Sequence, residues 1–408
     1  MSKRKMYGLL AFILCTFGLL ALVICYETKG YLWGKEGTNN SIGGDLASVS
    51  GGADSVTTAP DKVTPTAAND TKDNGQNGEQ GDGTTDTVTP SAAPEEGDIN
   101  LFFAGDIYLS DAVAAIYKSK GIGGIVDSEL LKDMQDADIT MVNQEFTFSQ
   151  GGKAAENKQY TFRVNPDYVS AFQDMGIDVV TLANNHSMDF GTEALKDSFT
   201  ALDGAGIAYV GAGNNLQEAR NIHYVEDKGK TLAFLAASRV IPEYSWNATN
   251  TKAGMLTTYD PAFLLEDIKT AKENSDYVIV YLHWGIERMD TPKDYQRNLA
   301  KQYIDAGADL VIGSHPHVLQ GVEYYKGKPI IYSLGNYIFY SNIKSTAVLK
   351  VTLDKDLNPN IQLLPAYAEN GKTKLLSDTE KVREFYQYMK SISFDVNFGE
   401  SGYASLNQ

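Results

Sequence analysis

From Asp98 to the C-terminus, short apolar runs alternate with stretches whose apolar positions recur at helical spacing. That alternation predicts an α/β domain. Strands are expected at Ile99–Ala104, Ile139–Val142, Val179–Ala183, Thr231–Ala236, Tyr277–Leu282, Leu310–Ile312 and Pro329–Ser333. Helices fit between several of them, at Pro166–Met175, Thr192–Ala205, Pro261–Asn274 and Lys293–Ala306. Thr346–Leu353 and Asn360–Leu364 are expected to close the domain as an antiparallel pair, followed by a terminal helix at Thr379–Ile392. The chain shows no fixed-period repeat.

The N-terminal residues follow a different pattern. Lys3, Arg4 and Lys5 precede an uncharged run from Met6 to Tyr26, long enough for a helix to cross a hydrocarbon core. With the positive residues on the cytoplasmic side, the rest of the chain is expected outside. A cleaved signal peptide would need a shorter apolar region and a small-residue cleavage site, which Ala21 to Tyr26 does not supply. Lipidation at Cys25 would need a small residue where Ile24 stands. The expected organisation is a cytoplasmic tip at 1–5, a transmembrane anchor at 6–26, an acidic stalk at 27–97, the main domain at 98–368, and a C-terminal helix and tail at 369–408. From Gly34 to Gly97 the stalk holds no aromatic residue and is rich in Thr, Gly, Asp, Asn, Ala and Pro. Such a composition cannot collapse into a core, so an extended spacer is expected.

Charge and cysteine usage narrow the chemistry. A formal net charge of -17, with no clustered basic face, argues against a nucleic-acid partner. Both cysteines, Cys15 and Cys25, lie in the apolar N-terminal run. The outer domain therefore has no disulfide, no thiolate ligand and no cysteine nucleophile.

The residues that end the apolar runs are of one chemical kind. Ile99–Ala104 leads to Gly105 and Asp106; Met141 and Val142 lead to Asn143 and Glu145; Leu182 and Ala183 lead to Asn184, Asn185 and His186. Leu282 is followed by His283, Ile312 leads to His315 and His317, and Tyr332 leads to Asn336. In α/β sheets the carboxyl ends of strands form the binding crevice, so these groups are expected to converge. Four of the five histidines in the chain stand at these ends, and only His223 is apart. Pro316 drives His315 toward an extended backbone, in which side chains two apart face the same way, so His315 and His317 are expected to share one site. Imidazole, carboxylate and carboxamide ligands without sulfur suit manganese, iron or zinc in an open site, the kind that activates water for hydrolysis.

At these segments the chain resembles the CapA family of poly-γ-glutamate capsule biosynthesis proteins, within the calcineurin-like metallophosphoesterase superfamily. The segments are Ala104-Gly105-Asp106, Asn143-Gln144-Glu145, Ala183-Asn184-Asn185-His186 with Asp189 and Gly191, His283-Trp284-Gly285, Gly313-Ser314-His315-Pro316-His317 and Ser333-Leu334-Gly335-Asn336. The resemblance covers about Ile99 to Leu364 and implies a sandwich of two mixed β-sheets flanked by helices, with one or two divalent metals at the strand ends. It implies Asp106, Glu145, Asn185, His283, His315 and His317 as metal ligands, Glu145 as a bridging carboxylate, and His186 as a general acid. The chain departs from the phosphoesterase pattern at Tyr108, where that pattern has a histidine, and at Glu145, where it usually has an aspartate.

Two functions remain open. One is a metal-dependent hydrolase of an extracellular polymer or ester, acting on a γ-glutamyl amide or phosphoester bond. The other is a non-catalytic subunit for assembly, export or retention of an anionic capsule polymer. The expected partners are the cell membrane, through the N-terminal helix, an anionic surface polymer such as poly-γ-glutamate, and capsule synthase membrane subunits. Because the protein is itself acidic, holding such a polymer needs metals or local cations, for which Arg163, Arg239 and Arg288 are candidates. Asn184, Trp284 and Asn336 are further candidates for lining the crevice.

Overall fold

Runs such as Leu101-Phe102-Phe103 are apolar at every position because their sheet is covered on both faces. The computed structural model describes residues 97–339 and 342–406. The expected anchor at 6–26 and all but the last residue of the expected stalk at 27–97 lie outside the described residues. Among the described residues no helix is long and apolar enough to cross a membrane.

Two mixed sheets carry the fold. Their strands, in chain order, are β1 (Ile99–Ile107), β2 (Ile139–Gln144), β3 (Val179–Thr181), β4 (Ala208–Val210), β5 (His223–Asp227), β6 (Lys230–Ser238), β7 (Tyr277–His283), β8 (Leu310–Ser314), β9 (Leu319–Tyr325), β10 (Lys328–Leu334), β11 (Asn336–Ile338), β12 (Ile343–Leu353), β13 (Pro359–Glu369) and β14 (Lys372–Leu375). The larger sheet has eight strands in the order β14-β13-β12-β1-β2-β3-β4, with β11 beside β1; the smaller has six in the order β9-β10-β8-β7-β6-β5. β1, β2, β3 and β4 run parallel, whereas β12 pairs antiparallel to β1 and to β13. The antiparallel closing pair is longer than the sequence pattern predicts, because the exposed Lys344 and Ser345 interrupt the start of β12 and β13 mixes buried with part-exposed positions past Leu364.

Successive side chains of a strand point to opposite faces, and the core divides accordingly. Phe103 and Met141 of the larger sheet pack with Phe234, Tyr281 and Ile312 of the smaller one, forming the layer between the sheets. Phe102, Val142 and Val180 face outward onto the helices Ser128–Asp136, Val169–Met175 and Gly191–Ala205 through Leu130, Met134, Phe172, Leu195 and Phe199. Val278, Val280 and Leu282 face the helices Ala262–Asn274 and Asp294–Ala306 through Leu264, Ile268, Leu299 and Tyr303. The Tyr281 hydroxyl crosses between the sheets and donates to the Ala104 carbonyl at 2.8 Å. Phe385, Tyr386 and Met389 of the terminal helix Thr379–Ile392 also enter the layer between the sheets, so this helix is part of the same packed body.

Candidate metal centre

The carboxyl ends of strands from both sheets meet at one edge. Ladder pairing sets Asp106 beside Asn143 and Asn336 in the larger sheet, and His283 beside Ser314 in the smaller. The β1–β2 register slips between Phe103 and Asp106, an irregularity that re-aims the carboxylate. Asp106 Oδ1 accepts from Asn143 Nδ2 at 2.7 Å and Oδ2 from the His315 backbone N–H at 3.3 Å, while the Asp106 N–H donates to the Gly335 carbonyl at 3.0 Å.

Glu145, just past β2, is fully buried, and among the described residues neither of its carboxylate oxygens has a hydrogen-bond partner. A carboxylate so placed needs a compensating positive charge. Its Oε1 lies 3.6 Å from His283 Nε2 and 3.9 Å from both His317 Nε2 and His186 Nε2. Glu145, His283 and His315 form one donor set, and Asp106, Glu145 and His317 a second, the ligand atoms within each lying within 4.8 Å of one another. Two ligands about 2.1 Å from a common ion stand about 3 to 4.2 Å apart as their angle opens from a right angle to a straight line. The separations around Glu145 Oε1 therefore suit coordination, and Glu145 is common to both sets. His315 Nδ1 is another buried atom with no hydrogen-bond partner. Asn185 Oδ1 lies 2.7 Å from His283 Nε2, beside the first set. These buried His, Glu and Asp groups could hold a metal.

The electrostatics of the protein groups point the same way. Burial, reinforced by Asp106, pushes Glu145 well above the usual carboxylate range. Burial drives His283 well below the ordinary imidazole range and His315 down to about 3. His317 is the exception: burial alone would lower it, yet Glu145 and Asp106 raise it to about 10.

His315 and His317 do share the site, but not through an extended backbone. Both adopt positive φ, 97° and 58°. Pro316 therefore does not hold His315 extended, and the two imidazoles belong to different donor sets. Left-handed conformations of non-glycine residues cost about 1 kcal/mol or more each and concentrate at functional sites.

His186 stands beside the donor sets. Its Nδ1 lies 2.6 Å from Asp189 Oδ2, and its ring stacks on Phe162 at 4.0 Å between centroids. Burial lowers its pKa, while the hydrogen bond to Asp189 opposes that shift. Lys158 Nζ donates to Asp189 Oδ1 and to the Asn185 carbonyl, and lies 2.9 Å from His186 Nδ1. Burial lowers the pKa of Lys158, against the pull of Asp189.

Residues 100–341, which include the whole cluster, match the family model described as "Bacterial capsule synthesis protein PGA_cap". The chain belongs to this family. It is 32% identical over 283 residues to "PGA biosynthesis protein CapA" of Bacillus subtilis (strain 168), covering 68% of this chain and 74% of that relative. It is 31% identical over 320 residues to "Capsule biosynthesis protein CapA" of Bacillus anthracis, covering 76% of this chain and 77% of that relative.

Within this PGA_cap chain the remaining candidates are sorted by their contacts. Asn336 Oδ1 lies 2.7 Å from His317 Nδ1 and fixes that ring at the rim. Asn184 is fully buried: its Nδ2 donates to Asn143 Oδ1 and the Gln144 carbonyl, and its Oδ1 accepts from the His186 N–H and Ser187 Oγ. It is a brace for the loop rather than a contact surface. Trp284 is also fully buried, donating to the Tyr332 carbonyl at 3.0 Å within the core on the helix side of the smaller sheet. Arg163 lies over the Phe190 ring and donates to the Gly151 carbonyl, and Arg239 lies over Tyr259 and Tyr295. Trp284, Arg163 and Arg239 are therefore not brought into the cluster. Tyr108 stacks on Phe162 at 4.1 Å and supplies an aromatic wall where the phosphoesterase pattern has a histidine. Asn143 stood among the strand-end residues expected to converge, without a role of its own, whereas Lys158 was not singled out from the sequence. Lys158 sits in an irregular loop with no pattern to mark it.

Proposed function

We propose that this chain is a metal-dependent hydrolase of an anionic cell-surface polymer, with the γ-glutamyl amide of a poly-γ-glutamate capsule polymer as its substrate linkage. The observation that carries this reading is Glu145: a buried carboxylate without hydrogen bonds, shared by two donor sets, 3.9 Å from His186 Nε2. Asp106, Glu145, Asn185, His283, His315 and His317 would hold one or two ions of manganese, iron or zinc, in keeping with a donor set of nitrogen and oxygen only. When bound, such ions lower the pKa of water and polarise the bond to be broken. The two-sheet sandwich with ligands at strand ends accords with the metallophosphoesterase resemblance. The names of the Bacillus relatives support the link to a capsule polymer.

The protein's own part in the chemistry centres on His186. Because Asp189 holds Nδ1, the Nε2 atom faces Glu145 and the donor sets. There it takes a proton from the attacking water and returns it to the departing nitrogen, a role typically worth about 10² to 10⁴ in rate. Phe162, stacked on the ring, keeps water from one face. Turnover of poly-γ-glutamate by wild type and His186→Ala, with metal content measured on the same samples, tests this. Activity lost at unchanged metal content supports it; equal activity in both removes His186 from the chemistry.

A second reading, a non-catalytic subunit for assembly, export or retention of the polymer, is favoured by the word "biosynthesis" in the relatives' names. Fully metal-loaded protein with no turnover would select it. Both readings place the domain outside the cell on the expected anchor at 6–26, alongside capsule synthase membrane subunits. Removing residues 1–26 should release a soluble folded domain, and its recovery only in membranes would overturn the stalk-and-anchor arrangement.

A further inference from the structure

A cavity of about 850 Å³ opens beside the donor sets, with His186, His317 and Asn336 at its inner end. That volume accommodates a drug-sized ligand, or a short stretch of polymer. Its outer wall carries Arg288 and Lys344, against Glu287 as the single acid among its lining residues. In a chain of formal net charge -17, a wall with more cations than acids is a local reversal of sign.

Neither cation is engaged elsewhere. Arg163, Arg239 and Arg297 lie over aromatic rings, and Lys158 and Arg220 are ion-paired. Arg288 and Lys344 have no ion pair or ring contact among the described residues. Arg288 has φ of 61°, and its N–H donates at 2.8 Å to the carbonyl of Pro316, between the two site histidines. Lys344 lies near the start of β12, at the irregularity between Ile343 and Thr346 in its pairing with β13. A left-handed arginine tied to the loop that bears His315 and His317 is a strained arrangement of the kind found at binding sites.

We propose that Arg288 and Lys344 form a carboxylate-binding subsite that holds the free acid groups of a polycarboxylate chain while one of its linkages lies at His186. This rests on the polymer-hydrolase reading above and deepens it by naming the residues that select the substrate. A polymer in which every unit carries a carboxylate brings acid groups to either side of any linkage placed at the inner end of the cavity. The planar guanidinium matches a carboxylate with two parallel bonds, and the lysine adds a point charge. The subsite is short. Beyond Lys344, Ser345 and Tyr388, shared by both cavities, a second one of about 560 Å³ is lined by Glu369, Asp378 and Glu384 against Lys344 and Lys381, so the excess of cations over acids does not continue there.

Titration calorimetry on the full-length, metal-loaded protein tests the proposal with two probes: a short γ-linked glutamate oligomer, and the same oligomer with its α-carboxylates converted to carboxamides. Wild type is expected to bind the acidic oligomer at least about tenfold more tightly than the amidated one. The double variant Arg288→Gln, Lys344→Gln should lose that preference by weakening only the acidic oligomer, at unchanged metal content. Both side chains are exposed, so the variant is expected to keep its fold, which its thermal midpoint verifies. Wild-type affinity for the acidic oligomer in the variant overturns the subsite alone and leaves the hydrolase reading standing. Failure of wild type to bind either oligomer overturns the polymer reading and the subsite with it.

Discussion

Replacing Gly105 with alanine tests how the fold aims the site. A methyl group at Gly105 would overlap the Gly335 carbonyl oxygen and lie 3.0 Å from the Gly335 carbonyl carbon. Both neighbours are backbone, so no side chain can swing aside, and β1 must part from the β10–β11 connection. Parting breaks the hydrogen bond from Asp106 N–H to the Gly335 oxygen, a net loss of about 1 kcal/mol. Overpacking adds about 1 to 3 kcal/mol. The expected destabilisation is therefore about 2 to 4 kcal/mol. The same movement carries Asp106 away from Glu145 and His317, and a misplacement of about 1 Å costs about 10² in rate at a positioned site. Urea unfolding of wild type and Gly105→Ala, with metal content measured on the same samples, gives both quantities. Gly204→Ala is the control: Gly204 lies in the helix Gly191–Ala205, with open space where a Cβ would stand, and should gain about 0.5 to 1 kcal/mol. An unchanged midpoint and metal content for Gly105→Ala would refute the close-approach argument.

Other perturbations follow from buried charge. Glu323 is bound by Arg297, Tyr332 and Lys301; burial would raise its pKa, but these partners hold it at about 2. A carboxylate with a depressed folded pKa stabilises above its unfolded value and loses that contribution as pH falls through the folded one. Glu323→Gln should thus cost about 1 to 2 kcal/mol at pH 7 after solvent screening, with the difference from wild type vanishing between about pH 4.5 and 2; a pH-independent difference in urea unfolding would contradict the pairing. Lys158→Met removes a donor from the buried Asp189 carboxylate and should cost about 1 to 3 kcal/mol in thermal unfolding while metal content holds; an unshifted transition would show that Lys158 does not brace the His186 loop.

The parts of the fold that were legible are those in which one signal dominates. β1, β2, β7 and β8 are buried on both faces, so their apolar runs stand out and the residues ending them could be named. The helices Asp111–Lys120 and Ser128–Asp136 escaped notice because they are short, at 10 and 9 residues, and each buries only two residues, too few to mark a helical period. β9 was missed for a different reason: its run from Leu319 to Tyr325 contains Gln320, Gly321 and Glu323, polar or small positions that find buried partners only in the folded protein. At the site, residue types could be read from the sequence but backbone conformation could not. Nothing local announced positive φ at His315 and His317. Trp284 looked like a crevice residue because it follows His283, yet strand alternation turns it to the opposite face.

Glu145 is the one residue common to both candidate donor sets. Elemental analysis of protein prepared in metal-supplemented medium shows whether that sharing governs metal binding. Wild type should carry about two divalent ions per chain, His315→Ala and His317→Ala about one each, and Glu145→Ala almost none, because the two sets meet only at Glu145. Negligible metal in wild type, or wild-type loading retained by Glu145→Ala, would contradict the account.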